Sequence, residues 1–148
     1  MKTLGLYDNL FGLILVYAGF GLPTSLFILS SFFLTIPKSL EESAYLDGAG
    51  FIKTFYRVIL PLSKPGFSTA AVLQFLLCWN EFQFALTLTT GSNSRTLPLA
   101  LYYFKSQFGS DYGVMFAATI IVVIPSIIVY IIMQEQVVSG LTAGAVKG

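Results

Sequence analysis

Few residues in this chain have the types and spacing that chemistry needs. It contains no histidine and a single cysteine, Cys78. Neither a His/Cys metal site nor a Cys–His nucleophile can be assembled, and an intrachain disulfide is impossible. No G-x-x-x-x-G-K-[S/T] loop is present to cradle a nucleotide phosphate. Two sets of carboxylates stand out. Glu41, Glu42 and Asp47 crowd into one polar connector, and Glu81 stands in an apolar run beside Trp79 and Asn80. With no catalytic constellation, no metal set and no cofactor loop, the chain is not expected to be an enzyme.

The elements that carry these residues are set by composition. Of 148 residues 55% are hydrophobic and 10% charged, against about 25% charged in a soluble domain. Too little polar surface is available to cover a soluble fold, and the expected class is an all-α integral membrane protein. The net charge of +1 gives no basic footprint for nucleic acid. Three runs are long enough to cross a bilayer: 10–36, 66–90 and 112–133. About 20 apolar residues span a hydrocarbon core, so each is expected to be a helix. Only the second contains an Asp, Glu, Lys or Arg, namely Glu81. Pro23 and Pro125 fall inside spans, where neighbouring helices or polar side chains can satisfy freed carbonyls. The first run outlasts the apolar core of about 7–15 residues in a signal peptide and reads as a span.

Orientation follows from the bases. The connector 37–65 carries Lys38, Lys53, Arg57 and Lys64, whereas 91–111 carries Arg95 and Lys105. The positive-inside rule puts 37–65 in the cytoplasm together with the tail 134–148, leaving the N-terminus outside. An N-terminus with no preceding span would be hard to export. The simpler expectation is that these residues form the C-terminal part of a larger multi-pass protein.

The connector is patterned, not floppy. Ser39 and Glu42 have capping-box spacing ahead of a helix expected over about Leu40 to Asp47. Gly48 and Gly50 are placed to end it. A second helix is expected from Phe51, with Phe51, Phe55, Val58 and Ile59 on one face and Lys53 and Arg57 opposite. Pro61 and Pro65 are expected to halt that helix and redirect the chain into the next span. Two roles fit this pattern: a helix pair lying on lipid, its bases toward anionic headgroups, or an element docked by a partner through the small residues Ser43, Ala44 and Ala49. Periodicity does not separate them.

The stretch "ESAYLDGAGFIKTFYRVILPLSKP" resembles the EAA loop of ABC importer permeases. Glu42, Ala44, Asp47, Gly48, Ala49, Phe55, Leu60, Pro61 and Pro65 match its pattern. Ser43 stands for the usual middle alanine, and the I-x-L-P register is loose because Ile59 directly precedes Leu60. "WNEFQFALTLT", "RTLPLAL" and the tail "QEQVVSGLTAGAVKG" are similar to maltose-type permeases of the carbohydrate uptake class. The resemblance implies the last three of about six spans, each about 20 residues long, in a type I importer fold. It also implies a cytoplasmic coupling-helix pair, in which Glu42, Ala44, Asp47, Gly48 and Ala49 dock onto an ABC ATPase dimer. A second permease subunit and an extracytoplasmic solute-binding protein complete the implied assembly, in a bacterial or archaeal cytoplasmic membrane. The tail, with Gly140, Ala143, Gly144 and Ala145, is implied to lie near the ATPase dimer interface.

Asn80 and Glu81 are the candidate substrate-path residues. A charge inside a span is costly and tends to face a path or a protein partner, although near an interface Glu81 needs no such role. Asn80 can bond a hydroxylated substrate or another helix. Trp79, Tyr102 and Tyr103 read as interfacial anchors, with stacking on a sugar as the rival. Two alternatives to a sugar permease stay open: a permease for another solute, and a membrane scaffold or fragment with no transport role.

Overall fold

The structure is a computed structural model that describes residues 2–108 and 111–145, with backbone alone described over 136–145. Among the described residues all regular structure is helical. After a 3-10 turn at Lys2–Leu4 come α1 (Leu10–Phe33), α2 (Lys38–Leu46) and α3 (Phe51–Thr54). A π-helical segment (Phe55–Ile59), α4 (Leu60–Leu62) and α5 (Lys64–Trp79) follow, then α6 (Gln83–Leu88), α7 (Leu97–Phe108) and α8 (Tyr112–Ala145). Two of these are long and apolar enough to cross a membrane, Leu10–Phe33 and Tyr112–Glu135. The chain divides into two compact units, Met1–Leu22 with Gln74–Ile131 and Pro23–Leu73 with Ile132–Gly148.

In the first unit, α1 opens on Asn9, whose side-chain oxygen accepts the Phe11 N–H at 2.9 Å and satisfies one orphan donor of the first turn. Leu13, Ala85 and Leu99 form a small buried core, with Tyr17, Phe82, Phe84, Leu88 and Tyr103 packed against it. Close approach is bought with glycine. A Cβ on Gly12 would collide with the backbone carbonyl of Leu6, and one on Gly21 with the amide of Gln74. In the second unit Gly66 plays the same part against the Phe32 ring, and Phe33 meets Phe67 edge to face at 6.3 Å.

Three expectations about element continuity change. The run 66–90 is not one helix: α5 ends at Trp79 and α6 begins at Gln83. The connector 91–111 is not a plain loop, because Leu97–Phe108 is helical. The helix that contains run 112–133 continues to Ala145, so the tail begins helical. The side chains of Gly140, Ala143, Gly144 and Ala145, and the packing expected of them, lie outside the described residues.

Candidate docking loop and interrupted span

Residues 37–65 form the ordered connector that their pattern predicts, with local chemistry that differs in places. Helix α2 starts two residues earlier than the capping box requires. Its N-cap is Pro37, with no side-chain cap bond. The Ser39–Glu42 capping box is therefore not formed: Ser39 already lies inside the helix, and its carbonyl accepts the Ser43 hydroxyl at 2.8 Å. Proline's fixed φ suits a chain entering a helix, which explains the earlier start.

The end of α2 is as expected and more sharply built. Gly48 has φ +75°, a conformation that costs any residue with a Cβ. The Ala49 N–H donates to Ala44 O at 2.9 Å and the Gly48 N–H to Tyr45 O at 3.0 Å. These paired bonds are a Schellman closure, which satisfies the last carbonyls and turns the chain sharply. Ala44 and Ala49 are half-buried, whereas Glu42, Asp47 and Gly48 are exposed. Leu46 beside them is 89% exposed. Of the five expected docking residues, Glu42 and Ala44 lie on α2 and Asp47, Gly48 and Ala49 on the turn that closes it; Glu42, Asp47 and Gly48 are open.

The helix after the turn begins at Phe51, as expected, but its inner face is shifted. Thr54 is 3% exposed while Phe51 is 74% exposed; Phe55, Val58 and Ile59 are half-buried. Phe51, Thr54, Phe55 and Ile59 line a groove of about 180 Å³ with Phe33, Ile36, Glu41 and Tyr45. Pro61 does not stop this helix. The Leu60 N–H reaches back five residues to Phe55 O, so the helix widens by one residue over Phe55–Ile59. Widening moves the carbonyl that the proline ring would otherwise strike, and the chain runs on to Leu62. The turn falls at Ser63 instead, which is fully buried and donates its hydroxyl to Ile59 O at 2.6 Å. Pro65 is in the first turn of α5, where a missing N–H does no harm.

The second candidate region is the interruption between α5 and α6. The Asn80 side chain donates to Leu76 O at 2.8 Å, ending α5 on its own last turn. The side chain of Glu81, one residue ahead of the N-cap Phe82, then caps α6. One carboxylate oxygen accepts the Phe84 N–H at 2.7 Å and the other the Ala85 N–H at 3.2 Å. The Tyr17 hydroxyl of α1 donates to that second oxygen at 2.7 Å. A carboxylate here meets two orphan amides and the positive end of a helix dipole. Asn80 is exposed and Glu81 half-buried. The indole N–H of Trp79 donates to Val122 O in α8 at 3.1 Å, and its ring stacks on Phe75. Val122 O is one residue from the carbonyl that Pro125 deprives of its helical partner. Trp79 therefore packs within this unit, tying α5 to α8.

Tyr17 and Gln74 were not marked by their sequence. Gln74 lies against Gly21, and its amide donates to Cys78 Sγ at 3.2 Å. Asp8 was also unmarked. One oxygen of its carboxylate accepts the Thr90 and Gly91 N–H groups, each at 2.8 Å, and the Ser94 hydroxyl at 2.5 Å. Those bonds, Ser94's foremost and then Gly91's and Thr90's, hold the Asp8 carboxyl well below the usual carboxylate range. Arg95 follows, stacked over Tyr103 at 4.0 Å and donating to Thr90 O at 3.3 Å.

Two helices long and apolar enough to cross a membrane point to a membrane protein. Residues 2–142 match the model of the binding-protein-dependent transport system inner membrane component family, and the chain belongs to that family. It is 44% identical over 149 aligned positions to the trehalose transport system permease protein SugB of Mycobacterium tuberculosis, covering 99% of this chain and 54% of SugB. It is 42% identical to the trehalose/maltose transport system permease protein MalG of Thermococcus litoralis, covering 100% of this chain and 54% of MalG. To the diacetylchitobiose uptake system permease protein DasC of Streptomyces coelicolor it is 39% identical, over 100% of this chain and 54% of DasC. The chain spans about half the length of these curated relatives.

Proposed function

We propose that the chain is part of the permease subunit of an ATP-driven carbohydrate importer in a bacterial or archaeal cytoplasmic membrane. It contributes three spans of a multi-pass domain: α1, α5 with α6 as one interrupted span, and α8. The connector 37–65 faces the cytoplasm as a coupling-helix pair and docks on an ATPase subunit through Glu42, Ala44, Asp47, Gly48 and Ala49. A second permease subunit and an extracytoplasmic solute-binding protein complete the complex. The cargo class follows from the names of the relatives, which are permeases for trehalose, maltose and diacetylchitobiose.

The observation that carries this reading is the Schellman-closed turn at Asp47–Gly48. A partner can transmit force only through a rigid contact, and this turn combines fixed backbone with exposed Glu42, Leu46 and Asp47. The substrate path is proposed to run beside the interruption at Asn80–Phe82. Non-helical backbone at membrane depth is tolerated only where protein buries it or water lines it, and Asn80 is exposed there. Asn80 flanks the path, and Glu81 shapes it by holding the backbone open.

The test is ATP-dependent uptake of labelled trehalose or maltose by vesicles containing the whole importer. Glu42→Lys is expected to abolish co-purification of the ATPase and to lower uptake at least about tenfold, the cost of one reversed charge in a desolvated contact. Uptake and co-purification that survive both Glu42→Lys and Gly48→Pro would contradict the docking assignment.

A further inference from the structure

We propose that Tyr17 is a positioning residue for the interruption in the second span: its hydroxyl fixes the Glu81 carboxylate on the amides of α6 and ties the break to α1. This deepens the reading of the break as the substrate path and rests on it for its transport consequence.

Helix α6 spans only Gln83–Leu88. Six residues are too few for a helix to stand on propensity alone, because nucleation is costly and few bonds repay it. Its start is held instead by Glu81, which occupies the Phe84 and Ala85 N–H groups with separate oxygens. A glutamate has several rotamers, and a cap works only while the carboxylate stays in place. Tyr17 supplies that constraint from another element, 64 residues away in sequence, at 2.7 Å. The phenol is itself half-buried and packed against the Leu13–Ala85–Leu99 core, so it is held from below.

The geometry also defines what moves. Tyr17, Glu81, Phe84 and Ala85 form one connected unit: if α1 shifts, the hydroxyl leaves the carboxylate and the cap on α6 loosens. Asn80 terminates α5 through its own bond to Leu76 O and does not depend on Tyr17. The start of α6 is therefore the part of the break that α1 controls. The hydroxyl shares its acceptor oxygen with the Ala85 N–H, so the tie to α1 and the cap on α6 meet at one atom.

The experiment is amide hydrogen exchange and labelled-sugar uptake on the assembled importer carrying Tyr17→Phe, Glu81→Gln or both. Tyr17→Phe removes one hydroxyl and keeps the ring that packs. Exchange at Phe84 and Ala85 is expected to accelerate about tenfold, what one charge-assisted hydrogen bond contributes. Maximal uptake per assembled complex is expected to fall with little change in half-saturation. The double variant should match Glu81→Gln alone, because both changes break one linkage. Unchanged exchange at Phe84 and Ala85 in Tyr17→Phe, or effects of the two single changes that multiply, would overturn the proposal. So would a loss of assembled complex with uptake per complex intact, which marks a role in folding only. Because exchange is read without transport, a wild-type importer that moves no carbohydrate would sink the function reading while the linkage is still decided.

Discussion

Asp8 is the residue whose behaviour is easiest to anticipate from its surroundings. It adopts φ +54°, a conformation tolerated by aspartate better than by most residues because its side chain bonds locally. Its carboxylate gathers Thr90, Gly91 and Ser94, and its own N–H donates to Leu88 O at 2.8 Å. A group whose folded pKa is lowered stabilises the fold fully above its unfolded value of about 4 and progressively less as pH falls below it. Thermal unfolding of Asp8→Asn and wild type should therefore differ most at pH 7, and the difference should begin to shrink only as pH falls below about 4, toward the lowered folded value. A difference that stays constant over pH 3–7 would show that the carboxylate charge is not what the three donors hold. None of this was legible in the sequence. A lone aspartate before an apolar run has no partner until the fold brings residues 90–94 beside it. Glu81 was legible as an anomaly, since a charge in an apolar run demands an explanation. Its partner Tyr17 was not, because a tyrosine in a span reads as packing.

At the scale of elements, the connector was largely readable and the break was not. Asp47-Gly48 announces a helix end, and Phe51 a helix start, because glycine's backbone freedom has a local signature. Proline at position 61 announces a stop. Yet a helix can also accommodate proline by admitting one extra residue, and the π segment over Phe55–Ile59 does so. The interruption at Asn80–Phe82 contains neither glycine nor proline. It arises from side chains that compete for backbone groups, a tendency that Asn shares with Glu in a capping position. Helix contact leaves its own signal. Gly21 on α1 allows Gln74 to lie across it, with its amide on Cys78. Gly21→Ala would displace that amide and is expected to cost about 1–3 kcal/mol, the range for overfilling a packed site. Gln74→Ala added to it should relieve the clash, so that thermal stability of the double variant is no lower than that of Gln74→Ala alone. A double variant whose losses simply add would place the cost elsewhere.

For the whole molecule, the abundance of apolar surface sets the terms. The windows of α1 and α8 that could cross a membrane are 17% and 0% buried within the chain, so lipid or further protein must cover them. Hydropathy made the membrane class plain from the sequence, and the family match over residues 2–142 agrees with it. Which face of each helix meets lipid and which meets a partner was not legible, since long apolar runs carry little periodic signal. The proposed docking of the connector requires Asp47–Gly48 to face the cytoplasm. The most direct measurement places a cysteine at the exposed Leu46 position by Leu46→Cys, with the native thiol removed by Cys78→Ala, and applies a membrane-impermeant maleimide. Labelling is expected in inside-out vesicles only, with protection when the ATPase subunit is bound. Labelling of right-side-out vesicles, with none from the cytoplasmic face, would contradict it.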